Sequence, residues 1–376
     1  MENQNIIDEE SVKISRYSFN SFRIERSIRD ILSWEERGKI IIPDFQREFV
    51  WDYNQCCKFI ESILLGLPVP DMFIFRDRTT SIEKFILIDG LQRYTCIKQF
   101  VNGKFIAKGT ERKFAINIKN SEWYKYTYDS LSVEDKAMFD DYSLRMNVFD
   151  SIENNESLKK LYMQEIFERI NTGSEKLTDQ EIRNAVYSGN VISKIKELAS
   201  NESYKNLVRT TNKYTSRCYD QELILRFITY YNIYKQSIKG SNLVCEEGTE
   251  KITNSKKNML SNYLYYANIN KIDYLEHIEL LTEALNYLNE YSENIFLSVS
   301  ADEEKILSTV HEVFAEAIVI CRMLGCQIKI TKEELDMRKI NYWKKTSKED
   351  NPFYSSTTSV ANVIKRIDVI KELIGE

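Results

Sequence analysis

The run Phe85-Ile86-Leu87-Ile88-Asp89-Gly90-Leu91-Gln92-Arg93-Tyr94-Thr95-Cys96 decides how the rest of the chain is read. Its apolar first part suits a buried strand, Gly90 lets the backbone turn without a Cβ clash, and a helical pattern starts at Leu91 or Gln92. The open amides of that helix, its positive dipole end and the Arg93 guanidinium then face one spot, which is an anion site in outline. The same residues also read as a plain strand-to-helix turn, with Asp89 as helix cap and Arg93 in a surface ion pair.

The chain has 376 residues, more than one comfortable core, so two or three domains are expected. A hydrophobic share of 43% and a charged share of 29% are those of a soluble globular protein. No apolar run approaches the ~20 residues of a membrane span. The start Met1-Glu2-Asn3-Gln4-Asn5, followed by acidic residues, lacks the basic start and apolar core of a signal peptide, so a cytoplasmic location is expected. Seven cysteines without a Cys-x-x-Cys pair fit reduced thiols better than a disulfide framework or a zinc knuckle. The net charge of -5 provides no global basic field, and tight binding to nucleic acid would need a local patch.

Proline divides the chain: Pro43, Pro68 and Pro70 lie near the start, Pro352 near the end, and the stretch between is free to be helical. Strand-like runs concentrate before about residue 150, so the expected class is α+β: a small mixed-sheet domain over 21–155, preceded by an arm over 1–20 and followed by a mainly helical domain over 156–376. Helices are expected from Ser27 to Gly38, from Tyr53 to Leu65 behind an Asp52 cap, over Leu91–Val101 and from Ser132 to Phe139. Strands are expected at Lys39–Ile42, Met72–Phe75, Lys84–Ile88, within Lys104–Ile118 and at Leu144–Phe149. A helix from Ser157 stops at Asn171-Thr172-Gly173, and Thr178-Asp179-Gln180-Glu181 forms a capping box for the next. Later helices fall near 190–200, 219–236, 254–267, 272–295, 301–324, 331–345 and 358–374, with a polar loop over 236–250.

The two histidines, His277 and His311, each lie in a helical pattern with no second histidine at ligand spacing, which removes HNH and zinc-deaminase chemistry. A Walker loop and a Gly-x-Ser-x-Gly elbow are absent. Pro70-Asp71 precedes a hairpin as in a PD-(D/E)xK nuclease, but Glu83-Lys84 lacks the intervening residue. Three polar clusters remain: Gln46-Arg47, Asp89 to Arg93, and Glu168-Arg169-Ile170-Asn171-Thr172-Gly173 leading to Glu181. Arginine matches phosphate through a planar fork, and amides and carboxylates hold Mg²⁺ or orient a water. Taken singly, each has an ordinary reading: Arg47 in a surface pair, Glu181 inside its capping box, Asn171 as the residue ending a helix.

Together, Ile42-Pro43-Asp44-Phe45-Gln46-Arg47-Glu48-Phe49-Val50-Trp51, the Asp-Gly-x-Gln-Arg stretch, and Phe167 to Gly173 with Leu177 and Glu181 resemble the signatures of the GmrS-like domain of GmrSD-type modification-dependent restriction systems, in order and spacing, over roughly residues 20–235. Leu91 stands where the family's Asp-Gly-Gln-Gln-Arg hallmark has glutamine.

The resemblance implies a ParB/sulfiredoxin-like core that binds a nucleoside triphosphate with Mg²⁺ and, in several members, hydrolyses it. Gly90-Leu91-Gln92-Arg93 is similar to the Gly-x-Arg-Arg turn that cradles phosphates in the ParB group, with its last arginine kept. Asn171, six residues before Leu177, parallels a metal-assisting Asn there. On this basis Asp89, Gln92 and Arg93 are the expected catalytic residues. Gln46, Arg47, Gly90, Leu91, Arg93, Arg169, Thr172 and Gly173 would hold nucleotide, and Asn171 and Glu168 would assist Mg²⁺, with 156–185 completing the site. Full-length members carry a C-terminal HNH nuclease domain, which these histidines cannot build, so a separate nuclease or effector chain is the expected partner.

A second reading is a non-catalytic DNA- or partner-binding scaffold. In it, Arg338-Lys339-Ile340-Asn341-Tyr342-Trp343-Lys344-Lys345 meets phosphate backbone through Lys344 and Lys345, although such a segment is also an ordinary amphipathic helix with a solvated basic face. A self-contained ParB-like nuclease is a third.

Overall fold

A computed structural model describes residues 19–42, 49, 51–77, 83–107, 109–151, 156–170, 177–208, 218–239, 256–291, 308–347, 349–354 and 359–376. The expected arm up to residue 18, the turn residues Arg78, Thr79 and Thr80, and the polar loop over 240–250 lie outside these. The chain divides into two compact units. The first runs to Leu177 and includes Asn184–Val186; the second comprises Thr178–Arg183 and Tyr187–Glu376.

In the first unit, β1 (Phe19–Ser27) leads straight into α1 (Ile28–Glu36), whose entry is fixed by Ser27 Oγ accepting from the Asp30 amide at 3.1 Å. After β2 (Ile40–Ile41), α2 (Tyr53–Leu64) opens on a reciprocal capping box, Asp52 Oδ1 taking the Gln55 amide at 2.8 Å and Gln55 Oε1 the Asp52 amide at 2.9 Å. Then come β3 (Met72–Asp77), β4 (Lys84–Asp89), α3 (Leu91–Val101), the hairpin of β5 (Lys104–Ala107) and β6 (Thr110–Lys113), α4 (Val133–Asp141), β7 (Ser143–Ser151) and α5 (Glu156–Ile170).

Five strands make one mixed sheet in the order β1-β7-β3-β4-β2, with β1/β7 and β3/β4 antiparallel and β7/β3 and β4/β2 parallel. Strand alternation sends Met72, Ile74, Phe85, Leu87, Met146 and Val148 to one face, where they pack with Ile60, Ile63, Tyr94, Ile97 and Phe100 of α2 and α3. Each such side chain contributes about 1.5–3 kcal/mol by leaving water. The opposite register row buries Phe75 and Ile86, and α5 packs on β4.

Two elements of the first unit depart from the sequence reading. The expected arm ends in β1, which starts at Phe19; as an edge strand exposed along most of its length, carrying Arg23, Glu25 and Arg26, it has little apolar alternation to announce it. The expected strands over Lys104–Ile118 stop at Lys113. Phe114 and Ile116 still alternate into the core, but Ile116 exchanges backbone bonds with Tyr126 and Lys125 in an irregular loop.

The second unit is helical among its described residues: α6 (Asp179–Val186), α7 (Asn190–Ala199), α8 (Glu202–Val208), α9 (Tyr219–Lys239), α10 (Lys256–Asn268), α11 (Tyr274–Tyr291), α12 (Ser308–Met323), α13 (Lys332–Lys345) and α14 (Val360–Ile374). Thr178 and Glu181 form the expected capping box at α6. Between α9 and α12, Arg226 binds Glu316 through Nη2 at 2.8 Å and Nε at 3.1 Å, and Glu312 through Nη1 at 2.7 Å, all three side chains being buried. The chain is thus α+β, a mixed sheet near the N-terminus followed by a helical region. Among the described residues no helix is long and apolar enough to cross a membrane.

Candidate functional site

The strand-to-helix turn stands where the sequence puts it: β4 ends at Asp89 and α3 begins at Leu91. Between them Gly90 takes φ +112°, and a Cβ there would lie 2.6 Å from Met72 Cγ, so glycine is required both by the left-handed backbone and by the close approach of β3. Gly90 at the N-cap has no side chain to cap α3, and the first intrahelical bond runs from the Tyr94 amide to the Gly90 carbonyl at 2.9 Å. The amides of the first turn therefore lack intrahelical acceptors and present the positive end of the helix dipole.

Arg93 lies on this turn with its side chain 13% exposed, and its Nη2 is 2.5 Å from Asp89 Oδ2, the carboxylate itself being 43% exposed. Asp89 thus holds the guanidinium and does not act as a cap. Gln92 accepts the Trp51 backbone N–H through Oε1 at 3.2 Å. That bond ties the turn to the end of the loop before α2, where Trp51 packs edge-on against Phe59 at 5.2 Å and Phe49 against Phe105 at 5.9 Å. Leu91 is partly buried against the apolar core. One residue on, Tyr94 donates its hydroxyl to Glu35 Oε2 at 2.6 Å; burial first, then this bond, push the phenol well up, and the ring pins the turn against α1.

The turn therefore brings Asp89, Gly90, Leu91, Gln92 and Arg93 together. Glu168 and Arg169 occupy the last turn of α5: Gln164 Nε2 lies 3.5 Å from Glu168 Oε1, and Arg169 points outward, its side chain 72% exposed and 3.5 Å from Glu165. Gln46, Arg47, Asn171, Thr172 and Gly173 lie outside the described residues. On α13, Lys344 and Lys345 are exposed, whereas the neighbouring aromatics turn inward: Trp343 meets Phe314 at 5.8 Å, Tyr342 meets Phe353 at 6.2 Å, and Lys339 is buried with its ammonium 4.9 Å from the Phe314 ring. The basic pair thus has no aromatic stacking surface beside it.

Sequence reasoning passed over a row of residues crossing the sheet beside the turn. Register pairs Phe73 with Asn147 and Asn147 with Arg23, so these three stand side by side on one face, while Asp89 is the partner of Phe73 across a register shift between Phe73 and Ile74. Just before β3, Asp71 Oδ2 accepts from Asn147 Nδ2 at 3.0 Å and lies 3.4 Å from Arg23 Nη2. Phe73 stacks with Phe149 at 6.3 Å and 16°. The available signal was polar Asn147 within the alternation of β7, on the face away from the core, together with Asp71 after Pro70.

For Mg²⁺, no cluster of three acidic, His or Cys ligands exists among the described residues. A magnesium ion arriving with a triphosphate needs only one or two carboxylates, the phosphates and water supplying the remaining oxygens, and the half-exposed Asp89 carboxylate at the turn suits that mode.

No curated protein matches the chain. Residues 28–188, which span α1 to α6 and include the turn, match the model of the family described as GmrSD restriction endonuclease, N-terminal domain. Over this stretch the chain is similar to a GmrSD-type N-terminal domain.

Proposed function

We propose that the first unit binds a nucleoside triphosphate at the turn between β4 and α3 and hydrolyses it in support of DNA restriction, with a separate nuclease or effector doing the cutting. The observation that carries this reading is the Arg93 guanidinium, mostly buried and held 2.5 Å from Asp89 beside the uncapped start of α3. Fixed positive charge and backbone donors converge there without reorganisation, which is what stabilising charge on phosphate oxygens needs. Phosphoryl transfer asks little else of a protein than positioning and electrostatics.

On this reading Arg93 and the amides after Gly90 hold phosphate, and Asp89 orients both the guanidinium and an attacking water. Gln92 holds the Trp51 backbone through its Oε1, and Gln46 and Arg47 are further candidates for contacting the nucleotide. Mg²⁺ would supply charge neutralisation at the phosphates; Asp89 and Glu168 are the described residues that would hold it, with Asn171 assisting, and Arg169, Thr172 and Gly173 are further candidates for holding the nucleotide.

Steady-state phosphate release from ATP, GTP, CTP and UTP with Mg²⁺ tests the proposal. Turnover of at least one, abolished by Arg93→Ala, supports it. Equal turnover in both proteins would trace the activity elsewhere, and tight Mg²⁺-NTP binding with no release would leave a nucleotide sensor in place of an NTPase.

A further inference from the structure

The proposed phosphate site begins at Asp89, the register partner of Phe73, and the row from Phe73 through Asn147 to Arg23 has no assigned task. From Asp89 across Phe73 and Asn147 to Arg23 there are three strand spacings, about 14 Å in all, a span that suits an extended nucleotide lying across the strands. Phe73 and Phe149, near-parallel at 16° and both half-buried, form an aromatic floor in the middle of that path. Base–aromatic stacking needs a ring face of this kind and is indifferent to base identity.

Identity would be read beside it. Asn147 spends its amide NH₂ on Asp71 Oδ2, and Arg23 approaches that same oxygen. Asn147 Oδ1 and Asp71 Oδ1 are the remaining acceptors of these two hydrogen-bonded side chains, the carboxylate one quarter exposed. Two neighbouring acceptors call for two neighbouring donors. The ring N1–H and exocyclic N2–H₂ of guanine provide them on one edge, whereas adenine and cytosine offer an amino donor next to a ring acceptor, and uracil one donor between two carbonyls.

We propose that Asp71, Phe73, Asn147 and Phe149 form a base subsite selective for guanine nucleotides, continuous with the phosphate site at Gly90 to Arg93. This inference rests on the nucleotide-binding reading above. Phe73 and Phe149 supply stacking common to all bases, and the Asp71–Asn147 pair supplies the preference. A site built to accept two hydrogen bonds rejects ligands that leave its acceptors unpaired.

The test is calorimetric titration of the full chain with Mg²⁺ and GTP, ATP, CTP, UTP or inorganic tripolyphosphate, repeated with Asp71→Asn and Phe73→Leu. The wild type binds GTP at least about tenfold more tightly than the other three nucleotides, the effect of one acceptor left unpaired. Asp71→Asn erases that preference, Phe73→Leu weakens all four nucleotides severalfold, and both variants keep the wild-type affinity for tripolyphosphate, which also certifies their fold. Four nucleotides binding alike and no better than tripolyphosphate, a preference for another base, or a GTP preference untouched by Asp71→Asn overturns the base subsite while the phosphate site stands. A fall in tripolyphosphate affinity equal to that for GTP in Asp71→Asn overturns it too, since the residue then acts on the phosphate site or the fold. Failure of the wild type to bind any of the five probes overturns both readings.

Discussion

Arg93 and Asp89 hold each other across the left-handed Gly90, Nη2 to Oδ2 at 2.5 Å, with the arginine much the less exposed of the two. The pair fixes a cation at the mouth of α3 yet leaves part of the carboxylate open to solvent. If Asp89 serves to aim Arg93 and a water, Asp89→Asn keeps triphosphate affinity within a few-fold and slows phosphate release by at least about tenfold, as loss of a positioned acid–base group does. Binding and single-turnover measurements on the same variant separate the two effects.

Gly90→Ala places a Cβ 2.6 Å from Met72 Cγ on a backbone with φ +112°. Strain and overpacking together cost about 2–4 kcal/mol. Urea unfolding of the variant checks this, and in a double-mutant cycle with Met72→Ala the two single losses sum to more than the loss of the double variant, because the steric part of the Gly90→Ala cost vanishes once Met72 is truncated.

These two positions show how much the sequence conveys. Asp89, Gly90 and Arg93 are legible because a strand, a glycine and a helix start in succession permit few backbones. Gln92 is only half legible: its identity as an amide at the site is evident, but its bond to the Trp51 amide, 41 residues away, depends on tertiary placement. β1 is hidden because an exposed edge strand needs no apolar alternation. The row through Asp71, Phe73 and Asn147 is set by strand order, which puts β7 beside β3 in parallel across a long connection; no local pattern in Met72–Asp77 or Ser143–Ser151 announces that pairing. The inward turn of Trp343 and Tyr342 on α13 is likewise a matter of packing partners, Phe314 and Phe353, that lie elsewhere in the chain.

His277, buried in α11 with Nδ1 2.7 Å from the Tyr263 hydroxyl, is pushed by burial from its ordinary 6.5 down to about 4. The folded state binds its proton less readily than the unfolded chain, so the stability from keeping it neutral is complete above pH 6.5 and is lost as pH falls toward 4. Going from pH 7 to pH 5 should cost about 2 kcal/mol through this residue alone. Urea midpoints of wild type and His277→Gln at the two values isolate that share: the variant loses correspondingly less.

Arg226 is a structural cation in the helical unit, since both carboxylates it binds, Glu312 and Glu316, are buried. Arg226→Ala removes the cation that binds both buried acids, leaving Glu316 only the nearby Arg366 and Glu312 the Tyr219 hydroxyl, and destabilises by about 3–5 kcal/mol. Arg226→Met together with Glu312→Gln and Glu316→Gln loses less than the single change, a comparison that equilibrium unfolding can make directly.

The account turns on Arg93 as the phosphate-binding residue of the first unit, and thermal unfolding with and without nucleotide addresses it most directly. With Mg²⁺ and nucleotide at about 100 times the dissociation constant, binding to the native state adds about 2.7 kcal/mol of apparent stability. The wild type is predicted to unfold several degrees higher in at least one of ATP, GTP, CTP and UTP, and Arg93→Ala to share the nucleotide-free melting temperature of the wild type but show no rise. A wild type that does not respond to any of the four, or an Arg93→Ala protein that responds as strongly as the wild type, would contradict it.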